Sequence, residues 1–179
     1  MPHPCRPRPH ASRSTANCSS TPCGIWSAAP SPFLHELAHY EWIELALARD
    51  EADTVPADVD SDGDLLNGVP VASPLAWPLA YRFPVHRITP AFQPQEPPAA
   101  PTFLLVRRDA DDAIHFHAID ALTHALLQTL HEAPAIRSGL QLIDHLVGGR
   151  EDAAALRTQA IARLHELHDR GAICGTRRA

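Results

Sequence analysis

Lysine is absent: all 15 basic side chains among the 179 residues are arginine, and with 21 acidic residues the formal net charge is −6 with histidine neutral. That balance argues against a protein that grips nucleic acid mainly through its phosphates. No apolar run approaches the roughly 18 uninterrupted residues that a membrane-spanning helix needs. The arginine-dotted, proline-rich beginning also lacks the apolar stretch of a secretory signal, so a soluble, cytoplasmic protein is expected. Cysteine is scarce: Cys5, Cys18 and Cys23 lie near the start, Cys174 lies near the end, and none falls inside an apolar periodic segment. With no CxxC pair there is neither a disulfide framework nor a common zinc module, and His3, Cys5, His10, Cys18 and Cys23 make only a weak metal set. Eight glycines against 18 prolines imply long extended connections. P-loop, GxSxG and GxGxxG motifs are missing too, and no cofactor is expected. What remains is a chain with 45% hydrophobic and 20% charged residues, enough to bury one modest core.

Residues 1–30 are rich in Pro, Arg, Ser and Cys without periodicity, which predicts a disordered tail. The abrupt change to patterned sequence at Ser31 also fits a misassigned start or an upstream frame error. Ser31 as cap and Pro32 at the first helical position predict a helix over residues 33–49. Its apolar residues surround it: Leu34, Leu37, Ala38 and Leu45 lie on one side, Phe33, Tyr40, Ile43 and Leu47 on another, with Trp42 opposite. Such a helix needs neighbours on more than one side. Residues 51–68 read as an acidic loop. Residues 69–101 are too proline-rich for long helices, and within them residues 77–88 suit an edge strand.

From Thr102 the pattern is that of a hairpin, with β-rich runs over residues 102–108 and 114–119 joined by the polar turn 109–113. In the second run Ile114, Phe116 and Ala118 face one way and His115, His117 and Ile119 the other. Asp120 then caps a helix that Pro134 ends, a second helix covers residues 136–147, and a third covers 151–169 before Gly171. Residues 172–179 are left as a tail. The expected fold class is α+β, a linking helix and proline-rich segment (31–101) followed by a small three-stranded antiparallel sheet with three helices (102–175), in a winged-helix-like order.

Two motifs invite a catalytic or metal reading. His35, Glu36 and His39 form HExxH on the first helix, which could hold zinc with Glu36 as general base. The extended form fails, since Trp42 and Leu45 stand where glycine and a third histidine belong, and an ordinary surface or partner-facing histidine pair is preferred. Asp58, Asp60, Asp62, Gly63 and Asp64 begin like a calcium loop, but Val69 occupies the position of the closing acid. His115 and His117 share a strand face without an obvious third ligand. No metal site is assigned and no catalytic residue is named.

The run PFLHELAHYEW ending at Trp42, then DLLNGVPVASPLAWPLAYRFPVHRI from Asp64 to Ile88, then PTFLLVRRDADDAIHF, resembles the HvfC-type family of proteins that mature ribosomally synthesised, post-translationally modified peptides. The most specific part is Trp77, Pro78, Tyr81, Arg82, Pro84, Val85, His86 and Arg87. The resemblance implies a non-catalytic accessory protein that joins a multinuclear non-haem iron oxidative enzyme and helps engage the leader of a precursor peptide. It also implies a missing N-terminal helical domain, one labelled DNA-binding in the family. Strand addition would place the peptide along Ile114, His115, Phe116 and His117, beside the last helix. Trp42, Trp77, Tyr81 and Arg82 are the candidate contacts to the enzyme, because aromatics and arginine anchor interfaces. The competing expectations are a DNA-binding transcriptional regulator and, behind it, a zinc metallopeptidase.

Overall fold

The computed structural model describes residues 31–132 and 135–178. The expected tail at residues 1–30, with its cysteine and histidine set, and the helix stop at Pro134 lie outside the described residues. From Ser31 onward the chain makes one compact unit. It is an α+β structure with, among the described residues, four helices and two three-stranded antiparallel sheets.

The first helix, α1 (Leu34–Ala48), opens differently from expectation. Phe33, not Ser31, is the capping residue and no side chain caps it; Ser31 contributes its carbonyl, which accepts from the Leu34 N–H at 2.9 Å. Phe33, Ile43 and Leu47 are buried. The far end of α1 is closed by a side chain from another element: Arg108 donates from Nη1 to the carbonyls of Leu47 (2.9 Å) and Ala48 (3.1 Å), and from Nη2 to that of Asp50 (2.8 Å). Unpaired carbonyls of the last helical turn thus find charged donors.

The central sheet is β3 (Ala76–Tyr81), β4 (Thr102–Arg108) and β5 (Ile114–Ile119) in the order β3-β4-β5. The expected strand over residues 77–88 therefore stops at Tyr81, and a short 3-10 turn, Val85–Arg87, follows. The β4–β5 hairpin has the expected bounds. Its turn is tied by Asp109, whose Oδ1 accepts from the Asp111 and Ala113 N–H groups, and Asp112 takes the left-handed conformation that short polar residues tolerate (φ 61°).

Strand alternation sorts side chains onto two faces. Leu104 and Val106 pack with Phe33, Ile43 and Leu47, so this face meets α1. Leu105 and Ile119 join the larger core formed by α2 (Ala121–Glu132), α3 (Gly139–Val147) and α4 (Ala153–Asp169), where Leu126, Leu142, Ile143 and Leu164 are fully buried. The sheet is a middle layer with a helix on one side and three on the other. Asp120 Oδ1 caps α2 by accepting from the Thr123 N–H at 2.7 Å, as expected, and Ser138 caps α3, which starts at Gly139, three residues later than its apolar pattern suggests.

The second sheet corrects the sequence reading most. Residues 172–179 are not a tail: β6 (Ile173–Arg177) is largely buried and pairs with β1 (Val59–Asp60) and β2 (Pro70–Ala72), in the order β1-β6-β2. The acidic loop is thereby a built piece of structure. Asp60 Oδ1 accepts from the Asp62 N–H, and Asp64 accepts from the Leu66 and Asn67 N–H groups and the Asn67 side-chain amide. These carboxylates fold the loop back on β6. At Gly175 (φ 136°) any Cβ would collide with the Asp60 carbonyl, so the close approach of the two strands requires glycine.

Candidate functional site

β5 pairs only with β4, so among the described residues its outer side has no strand partner. β3 is the other edge of the sheet, but it contains Pro78, which removes a backbone donor, whereas β5 has no proline. β5 is therefore the edge better equipped to receive another strand. Beside its C-terminal half lies a cleft of about 160 Å³ walled by α4; Leu105, Ala118 and Ile119 line one side and Arg163, Glu166 and Arg170 the other.

The α4 wall is a ladder of alternating charge. Arg163 bridges Asp120 (3.0 Å) and Glu166 (2.6 Å), and Glu166 also holds Arg170 (2.7 Å). Hydrogen bonding to Glu166, with the charge of Asp120, holds the Arg163 guanidinium above its ordinary pKa. Burial pushes the Asp120 carboxyl up, but the bond from Thr123 and the charge of Arg163 bring it below its usual value. Farther back on α4, Arg157 pairs with Asp144. The helix arginines are thus spoken for by carboxylates, which leaves them poorly placed to hold phosphates.

Of the four peptide-contact residues expected on β5, two face each side of the sheet. Ile114 and Phe116 pack toward α1, with the Phe116 ring 5.0 Å from that of Tyr40. His115 and His117 point to the α4 side, their rings stacked at 6.0 Å and 12°. His115 Nε2 is 2.6 Å from Asp109 Oδ2, a contact that holds the Asp109 carboxyl below its usual range. Burial, then the nearby charges of Arg107, Arg170 and His115, lower the pKa of His117.

The expected enzyme contacts separate. Trp42 is 57% exposed on the outer face of α1, which also carries Leu34 and Leu45, each 49% exposed. Arg82 is exposed as well. Trp77 is half-buried against the core and donates its indole N–H to the Pro74 carbonyl at 2.8 Å. Tyr81 is buried (4% exposed); its hydroxyl meets His39 Nδ1 at 2.9 Å, and burial together with Tyr40 and Glu36 pushes its pKa up to about 12. Tyr81 serves the core.

The same contacts account for the HExxH pattern. Glu36 Oε2 accepts the Phe83 N–H at 2.9 Å, and His39 is engaged by Tyr81, so two of the three motif side chains tie α1 to the end of β3. Among the described residues no group of three or more His, Cys, Asp or Glu side chains is gathered to hold a metal ion, and no helix is long and apolar enough to cross a membrane.

Asp120, Arg163, Glu166 and Arg170 line the cleft, with Arg107 under the adjoining Arg170–Gly171 turn, and none was picked out as a site residue by the sequence. The spacing of 163, 166 and 170 on one helix face was a visible signal, but interspersed charge on a helix usually marks a solvated surface.

The model of one family, the HvfC C-terminal domain, matches residues 73–168, more than half of the chain. The chain belongs to this family. The HvfC C-terminal domain match begins just before β3 and ends within the last turn of α4, so it contains the central sheet, the open edge of β5 and the charged wall of α4 as far as Glu166. It excludes α1 and the second sheet. No curated protein matches the chain.

Proposed function

We propose that this member of the HvfC C-terminal domain family is a non-catalytic accessory protein in the maturation of a ribosomally synthesised, post-translationally modified peptide. It binds a multinuclear non-haem iron oxidative enzyme, which carries out the chemistry, and receives the precursor's leader segment. The observation that carries this reading is the proline-free edge of β5 running beside the α4 cleft, inside the part of the chain that defines the family. An extended leader adds to β5 through main-chain hydrogen bonds, and alternate side chains enter the cleft, which supplies selectivity. The enzyme docks elsewhere, on the exposed apolar face of α1 around Trp42, with Arg82 as a neighbouring candidate. Two separate surfaces allow both partners to be held at once.

Co-expression of the tagged chain with a candidate iron enzyme and precursor peptide tests the assignment. The expected result is a co-purifying complex, a peptide mass change that requires this chain, and slowed amide exchange across Ile114–Ile119 when the precursor is added. Modification proceeding equally well without the chain, or precursor binding that leaves the β5 amides unprotected, would overturn it.

A further inference from the structure

The charges around the α4 cleft balance except at one place. Asp120, Arg163, Glu166 and Arg170 neutralise one another along the wall, and Asp109 is engaged by His115. Arg107 projects from β4 on the same sheet face, directly across from His115. Its guanidinium has no carboxylate within ion-pair distance and makes no hydrogen bond among the described residues, and its Nε is buried and unsatisfied. His117 Nε2, one step along the same face, is also buried without a partner. The Arg170–Gly171 turn closes over this spot: a Cβ placed on Gly171 would lie 3.9 Å from Arg107 Nη1. Two orphaned polar atoms, one of them on an uncompensated cation, lie on the same face of adjacent strands in a chain whose net charge is −6. Leaving such groups buried and unpaired is costly unless a ligand completes them.

The geometry points to a carboxylate-receiving subsite formed by Arg107 and Arg170, with His117 on its flank, which takes an acidic side chain of a peptide strand paired to β5. This rests on the strand-addition reading above and names its substrate class: extended segments with Asp or Glu on the cleft side, level with His115 and His117. On a strand added to β5, alternate residues face α4; Arg107 lies one strand further in, on β4, so its long side chain and that of the acid span β5 beside His115 and His117 to meet, while the immediate neighbours of the acid face α1 or solvent. Arg107 supplies a planar pair of donors suited to a carboxylate. Arg170 stays paired with Glu166 and adds its positive charge beside the site. The subsite thereby fixes register as well as affinity, since a one-residue slip would carry the acid to the opposite face of the sheet.

Selection of a random 14-residue peptide library, displayed on its own messenger RNA, against the immobilised full chain provides the test, with amide exchange used to retain binders that protect β5. The expected outcome is enrichment of Asp or Glu at one fixed position. Changing that acid to Asn or Gln should weaken binding by about tenfold or more in the unmodified chain, but by less than about twofold in Arg107→Gln. Arg107→Lys, which retains the charge, should keep most of the acid dependence, and far-UV circular dichroism verifies that both variants are folded. Binders that protect β5 without any acid preference, or whose acid dependence survives in Arg107→Gln, would overturn the subsite and leave strand addition standing. Failure to recover any binder that protects β5 would remove strand addition and the subsite together.

Discussion

Arg108 and Arg107 are neighbours on β4 with opposite situations. Arg108 faces α1, where it gives three hydrogen bonds to carbonyls at the helix end and its side chain is only 11% exposed. Arg107 lies on the opposite face, under the Arg170–Gly171 turn, and has none. The alternation of a strand, applied to two adjacent arginines, makes one structural and leaves the other available for a ligand. Replacing Arg108 with Met keeps much of the aliphatic packing but strands the last carbonyls of α1. The expected loss is roughly 2–3 kcal/mol of unfolding free energy, read from urea titration, because hydrogen bonds to charged groups are stronger than neutral ones. Arg107→Gln should cost far less, since it breaks no hydrogen bond or ion pair within the described residues. A reversed order of the two variants would contradict the assignment of the two faces.

At the level of elements, α1 is held by one side and bare on the other. Leu34, Ala38, Trp42 and Leu45 succeed one another at spacings of four, four and three, which aligns them as a single stripe on the side away from the sheet. Exposed apolar stripes of this kind mark interaction surfaces more often than isolated apolar residues do. Trp42→Glu should leave stability within about 0.5 kcal/mol of the parent, because the side chain is mostly in water already. On the function proposed above, it should also abolish co-purification of the iron enzyme without affecting peptide binding at β5. Loss of both activities, or a fall in stability, would place Trp42 in the fold and not at a docking face. The existence of α1 was readable beforehand because apolar periodicity is a local property, but its faces were not: Leu37 packs toward the sheet, and Trp42 lines up with Leu34 and Leu45 on a bare face instead of standing opposite them. The hairpin, whose strands fell on the expected residues, and the cap at Asp120 were readable too. β6 was not readable. Its partners are more than a hundred residues away, its register pairs Asp60 with Thr176, and Gly175 in its middle looks like a strand breaker when in fact it permits close approach. The site was legible to the same extent: His115 and His117 shared a face by period, but the meeting of Arg107 with the end of α4 depends on how the helices pack over the sheet, which no local pattern encodes.

For the whole molecule, the titratable groups whose pKa values the fold shifts predict a stability plateau with two distinct shoulders. His86, His117 and His124 are each lowered from the ordinary histidine value of 6.5, first by burial. The unfolded chain therefore takes up protons near pH 6.5 while the folded chain does not, so stability is intact above that value and declines as the pH falls through and below it. Asp64, Asp109 and Asp120 are lowered from 3.8, and their contribution is lost only at more acidic pH. On the alkaline side Tyr81 ionises at about 12 when folded and at 10 when unfolded, so its contribution is present below pH 10 and is lost as the pH rises toward 12. Tyr40, also raised by burial, acts in the same direction. The Cys174 thiol, raised from 9.0 by burial, begins to count earlier, so urea midpoints measured across pH should be flat from about 7 to about 9 and fall on both sides. His117→Gln should flatten part of the decline between about pH 6.5 and 5 without touching the alkaline limb. Tyr81→Phe should do the reverse, at the expense of about 1 kcal/mol throughout from the lost bond to His39. A midpoint that stays level down to pH 5, or an acid limb unchanged in His117→Gln, would mean that the His117 ring is not desolvated against Arg107 and Arg170, and the arrangement of the cleft floor would have to be redrawn.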